Sequence, residues 1–125
     1  MTATIPHCYT YIQILMTDSE IYETLVQLAA NYDIFQCEAC ADAIQQWLIQ
    51  HGLPGIRLLL RTRGYDFMIS ERVGGHMNIT QNGCHYGIEV LDWVFDNLPQ
   101  TGIPKQAWLD DFESIDGFDV YESPF

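Results

Sequence analysis

The chain changes texture at Pro54-Gly55, and that change limits its fold more than any other feature. Before it, apolar residues recur with helical period; after it, they come in short runs punctuated by glycine. Thr17-Asp18-Ser19-Glu20 has capping-box spacing, and Ile21, Leu25, Leu28 and Ala29 then share one helical face, predicting a helix over about 18–31. Cys37, Cys40, Ala41, Ile44 and Leu48 form a second stripe, predicting a helix over about 37–50 that stops at His51-Gly52. Past the break, Ile56–Arg63, Tyr65–Ser70, His76–Thr80, Cys84–Val90 and Trp93–Leu98 read as strands, with Arg63-Gly64 and Gln81-Asn82-Gly83 as turns. Gly102-Ile103-Pro104 opens a last helix of about 105–112. Helices first and strands afterwards predict an α+β fold, an antiparallel sheet with helices on one side. At 125 residues, with no repeat or linker, the chain is expected to be one domain spanning 1–125.

Composition removes several classes of function. Five basic residues against 17 acidic ones give a net charge of −12. Such a surface repels phosphate backbones and anionic lipid, so neither nucleic acid nor membrane is expected as a partner. The most aliphatic stretch, Ile56-Arg57-Leu58-Leu59-Leu60, falls far short of the ~20 residues that span a bilayer. Met1 to Ile12 lacks the basic start and long apolar stretch of a secretory signal, so the expected location is cytoplasmic. Cys8, Cys37, Cys40 and Cys84 are too few for a disulfide framework and read as reduced thiols.

Two constellations carry candidate chemistry. Cys37 falls where the second helix begins, and free N–H groups and the helix dipole at that end stabilise a thiolate, the nucleophile of thiol enzymes. Cys40, one turn on and within the apolar stripe, reads as a small inert hydrophobe. Cys37-Glu38-Ala39-Cys40 is also a C-x-x-C, open to a redox or zinc reading. No strand precedes it in thioredoxin order, and adjacent Cys84-His85 would point to opposite faces of a strand. The second constellation is Gly83-Cys84-His85-Tyr86-Gly87-Ile88-Glu89-Val90 followed by Val94-Phe95-Asp96-Asn97. Were these a hairpin with an even loop, His85 and Asp96 would share a face, with Gly87 leaving room beside them. Tyr86, Ile88, Val90, Trp93 and Phe95 would then line the other, core-facing side. A carboxylate beside an imidazole fixes its tautomer and stabilises its charged form, as a general base requires; a plain surface pair is the competing reading. His7 and His51 read as exposed, and nothing requires His76 at a site. Arg57, Arg61, Arg63 and Arg72 either balance the acidic surface or dock an acidic substrate segment.

The order of these pieces resembles the core of papain-fold thiol enzymes, including the transglutaminase-like group. More narrowly, Phe35-Gln36-Cys37-Glu38-Ala39-Cys40-Ala41, Gly83-Cys84-His85-Tyr86-Gly87 and Val94-Phe95-Asp96-Asn97-Leu98, followed by Gly102-Ile103-Pro104 and Trp108, resemble the papain-fold toxin domains of bacterial polymorphic toxin systems. The resemblance covers about residues 35–112. It implies a papain-like core in which Cys37 is the nucleophile, His85 the base and later acid, and Asp96 the residue orienting His85. It implies a peptidase or glutamine deamidase acting through a thioester on a protein or peptide substrate, with no cofactor and no metal. Export as an effector by a route not visible in the sequence would fit the same resemblance. Papain-like enzymes often take a second oxyanion donor from a glutamine several residues before the cysteine. Here the nearest is Gln36, immediately before it, and Gln27 is too far upstream to place. The alternative is a non-catalytic module on the same fold, its acidic face meeting a basic or immunity-type partner. Asp110, Asp111, Glu113, Asp116, Asp119 and Glu122 in the C-terminal segment would supply that face.

Overall fold

The computed structural model describes residues 16–125, which leaves His7 and Cys8 outside the described residues. Helix α1 spans Asp18–Ala29 and opens on the expected capping box: Thr17 Oγ1 accepts from Glu20 N–H while Glu20 Oε1 accepts from Thr17 N–H. Helix α2 spans Cys37–Gln50 with the predicted boundaries. Strand β1 (Ile56–Thr62), the short β2 (Ile69–Ser70) and a 3-10 turn (Glu71–Val73) come next. They are followed by β3 (Cys84–Val90), β4 (Trp93–Phe95), β5 (Ile103–Pro104), α3 (Lys105–Asp110), β6 (Phe112–Glu113) and β7 (Phe118–Pro124).

The main sheet has five strands in the order β5-β4-β3-β1-β7, all neighbours antiparallel; β2 and β6 pair separately. Val90 faces Trp93 across a turn of two residues, Leu91 and Asp92, both at positive φ (53° and 67°). That is the left-handed pair a type I′ hairpin turn needs, here built without glycine. The loop is therefore even, and Gly87 falls opposite Asp96, one step beyond the Ile88–Phe95 pair, with His85 diagonal to it on the same face.

Both faces of the sheet are covered along its central strand β3, where the sequence predicted helices on one side, while the edge strand β7 is largely exposed. On one face α1 and α2 bring Ile21, Leu25, Cys40, Ile44 and Leu48 against Ile88, Val90 and Phe95. Of the expected core-facing set, Tyr86 is only half-buried and Trp93 is 38% exposed, lying edge-on to Tyr22 instead. On the other face Leu58, Leu60 and Val94 pack beneath Met68, Ile79, Leu98, Trp108 and Phe112. This second cover is made of α3 and irregular chain, which explains two corrections. Tyr65–Ser70 pairs only over Ile69–Ser70, and His76–Thr80 forms no strand; both segments serve as a lid over the sheet rather than as members of it. The acidic tail, in turn, is a strand: β7 pairs along all of β1, from Ile56–Pro124 to Thr62–Phe118.

Candidate active site

The main chain of β3 decides how the site assembles. Thr62 N–H donates to Gly83 C=O at 2.8 Å, so the alternation of an antiparallel ladder turns Gly83, His85 and Gly87 toward β1. Cys84, Tyr86 and Ile88 then turn their N–H and C=O groups away from β1. Ile88 meets Phe95 there, but β4 pairs no further along, and the space beside Cys84 and Tyr86 is taken by the first residue of α2. Cys37 Sγ sits 3.6 Å from Cys84 C=O. The nucleophile candidate thus reaches the strand at its open edge, past the end of β4, where a helix on one face can meet a side chain on the other.

His85 is completely buried, and Asp96 is 2% exposed. His85 Nε2 lies 2.9 Å from Asp96 Oδ2. A carboxylate only accepts, so Nε2 carries the proton and Nδ1 is the ring's other edge. Nδ1 is buried with no hydrogen-bond partner among the described residues. Burial alone would raise the Cys37 thiol pKa. The adjacent His85 imidazole and its charge, with the N–H groups of Tyr86 and Glu38, outweigh it, and the thiol lies below its ordinary value. For His85, burial opposes the charged form, yet the bond to Asp96 and the nearness of Cys37 push its pKa up to about 9. The two shifts run in the directions of a thiolate–imidazolium pair. Cys40, one turn along, has the opposite fate: burial, with the nearby charges of Asp96 and Cys37, pushes its thiol up to about 12. The two cysteines of the C-x-x-C thus sit in opposite electrostatic surroundings.

Asp96 is held by more than His85. Arg72 grips it with two bonds, Nη1 to Oδ1 at 2.9 Å and Nη2 to Oδ2 at 2.8 Å. Trp108 Nε1 donates to Oδ2 at 2.8 Å, and Thr101 Oγ1 and Leu98 N–H reach Oδ1 at 3.2 and 3.3 Å. Burial pulls against the charged carboxylate, and these partners, led by His85 and Arg72, still hold it well below the usual range. Arg72 also bonds Asp111 through Nε at 2.9 Å, and Ser70 Oγ donates to the same Asp111 oxygen. The room left by Gly87 is filled by this network: a Cβ there would stand 2.7 Å from Trp108 Cζ2. Asn97, next in sequence, donates through Nδ2 to Asp33 and Ile34 C=O at 2.6 and 2.7 Å, tying the end of β4 to the turn that delivers Cys37.

Sequence reasoning grouped Arg72 with three surface arginines and missed its partnership with Asp96. The exposed pair read for His85 and Asp96 as the competing possibility is replaced by a buried one. Arg57 pairs with Asp42 and Gln45, and Arg63 with Asp119, so three of the four arginines are engaged within the chain. His51 is half-buried and stacks on Trp47 at 4.0 Å, while His76 is exposed, its ring bonded to Gly74 C=O; neither meets Cys37. Gln36 has its carboxamide turned back on Asp33 N–H at 2.8 Å. The cleft beside Cys37, about 80 Å³, is lined by Phe35, Glu38, Ile79, Thr80, Gln81, Asn82, Cys84 and Tyr86. A roomier cavity of about 300 Å³ lies between the end of α1 and the 97–101 loop, without Cys37 or His85 on its walls. Among the described residues no group of three or more His, Cys, Asp or Glu is placed to hold a metal.

Residues 20–113 match the family model described as papain fold toxin 2. The chain belongs to that family. Its α+β architecture, with the cysteine-bearing helix against an antiparallel sheet, is the papain-type arrangement that the motif order resembled. The matched span holds Cys37, His85, Asp96, Arg72 and Trp108, and ends before β7. Comparison with curated proteins and with solved structures finds no match.

Proposed function

We propose that this papain-fold toxin domain is a thiol hydrolase that attacks an amide carbonyl through Cys37, His85 and Asp96. The observation that carries the reading is the buried His85, with one ring nitrogen on Asp96 and its pKa raised by both Asp96 and Cys37. In this mechanism the Cys37 thiolate adds to the carbonyl carbon and its C=O π electrons pass to oxygen. The tetrahedral intermediate collapses as His85 gives its proton to the leaving nitrogen, which departs as an amine or ammonia and leaves a thioester. Neutral His85 then takes a proton from water, whose oxygen attacks the thioester and frees the acid and Cys37. Asp96, locked in place by Arg72 and Trp108, holds the ring in the tautomer that keeps Nδ1 toward sulfur.

The cleft of about 80 Å³ favours a small planar group over a bulky side chain, so the substrate we propose is a protein carboxamide of the glutamine type. A partner of the immunity type would meet an acidic surface, given the net charge of −12. With iodoacetamide at pH 6, Cys37 should be alkylated faster than Cys8, Cys40 and Cys84, and His85→Ala should slow it at least tenfold. Equal, slow labelling of all four would defeat the proposal. Mass spectrometry of lysate proteins incubated with wild type and Cys37→Ala then distinguishes amide-to-acid conversion from chain cleavage.

A further inference from the structure

Resting on that reading, we infer that Asn82 supplies the second oxyanion donor, from the loop that precedes β3 rather than from a glutamine upstream of the cysteine. A tetrahedral intermediate at Cys37 needs donors aimed at the oxygen that becomes charged. One is available at the start of α2, where the first helical bond runs from Cys40 N–H to Gln36 C=O and Gln36 makes no side-chain cap. The N–H of Cys37 lies ahead of that ladder. The upstream candidate for the other donor, Gln36, is turned back on Asp33 and is absent from the walls of the cleft.

Asn82 stands on the cleft wall with Cys37. Its Oδ1 accepts from Cys84 N–H at 3.1 Å. That bond assigns the carboxamide's orientation, because an N–H needs the oxygen end. Cys84 turns its N–H and C=O toward the same open edge of β3, and its C=O is the group that Cys37 Sγ touches. Asn82 and Cys37 therefore meet the same residue from the same side. The Nδ2 end of Asn82 has no partner among the described residues, and the side chain is exposed to incoming substrate.

The loop is preorganised to hold that end still. Thr80 Oγ1 is the hub: it accepts from Asn82 N–H at 3.2 Å and Gly83 N–H at 2.7 Å. Thr80 itself is 2% exposed, and Gly83 has the positive φ (76°) that lets the chain pass from this turn into β3. A donor fixed by the fold costs no reorganisation when charge develops, which is what distinguishes it from a flexible surface amide.

The test separates addition to a carbonyl from simple reactivity of the thiol. With p-nitrophenyl acetate, the Cys37 thiolate adds to the ester carbonyl, the oxyanion forms, and collapse expels p-nitrophenolate to leave the acetyl thioester. Iodoacetamide displaces iodide directly and passes through no oxyanion. In Asn82→Ala the single-turnover release of p-nitrophenolate should fall about 10²-fold, the usual loss for one donor, while alkylation of Cys37 stays within twofold. Asn82→Asp keeps the acceptor for Cys84 N–H and removes the NH₂ donor, so the same loss in a variant with the turn intact excludes misfolding as its cause. Gln36→Ala should release p-nitrophenolate at the wild-type rate. Release within threefold of wild type in both Asn82 variants overturns the assignment, as does a loss that alkylation shares equally. A wild-type protein whose Cys37 is not preferentially alkylated rejects the nucleophile itself, an outcome distinct from failure at Asn82.

Discussion

The two faces of the five-stranded sheet are both covered along β3 but are differently built. The face under α1 and α2 is closed mainly by aliphatic and aromatic side chains, with the Cys40 thiol among them, the kind of core whose order survives modest substitution. The opposite face places His85, Asp96, Arg72, Asp111 and Ser70 amid Trp108 and Phe112, with nearly every polar atom matched to a partner. Charges stay charged there because each is offset within hydrogen-bonding distance. That stability is conditional on every partner being present. One face supplies cohesion, and the other holds the candidate catalytic residues under tension from their own desolvation.

Removing a partner from the polar face should have the largest effect. Arg72→Met leaves Asp96 and Asp111 buried without their cation, and a loss of about 3–5 kcal/mol in urea unfolding is expected. Ile44→Ala, a deletion in the apolar face, should cost about 2–5 kcal/mol and leave the alkylation rate of Cys37 near wild type. Were Arg72→Met the milder of the two, and Cys37 unaffected by it, the contrast between the faces would fail.

The polar face should respond to pH on either side of neutrality. His85 is raised from 6.5 to about 9 when folded, so its ring should remain protonated at pH 8 by nitrogen NMR. Its contribution to stability is whole below about 6.5 and lost as the pH rises through about 9. Asp96, lowered, contributes above the ordinary carboxylate value of 3.8 and loses that as the pH falls through its depressed value. Asp96→Asn should lower the His85 titration; an unchanged midpoint would mean that the carboxylate does not charge the ring.

The smallest change sharpens the comparison most. Gly87→Ala places a methyl 2.7 Å from Trp108 and 2.9 Å from Val94. Overpacking of about 1–3 kcal/mol is expected, with slower alkylation as the indole shifts off Asp96. Loss of stability without any change at Cys37 would show that the indole bond is dispensable.

The sequence announced whatever depended on local period. Helical spacing located Cys37 at the start of α2, and two-residue alternation put His85 and Asp96 on one face once Leu91-Asp92 proved an even turn. What it concealed came from distance along the chain. Arg72 meets Asp96 across 24 residues, and nothing in the run around Arg72 distinguishes it from Arg57 or Arg63. Tyr65–Ser70 had strand character but found only a two-residue partner in β6. The residues of β7 include Asp119 and Glu122, poor strand formers, and they become a strand because β1 is there to receive them.

That last strand has a consequence for the life of the protein in solution. The run Ile56-Arg57-Leu58-Leu59-Leu60 is the most aliphatic stretch of the chain, and without β7 it would form the rim of the sheet. An open apolar rim is a template for chain-to-chain pairing. The strand that covers it carries two charged residues, and both are paired across the fold, Asp119 with Arg63 and Glu122 with Lys105. A strand beyond the family's matched span thus closes the edge of the sheet that holds the candidate active site.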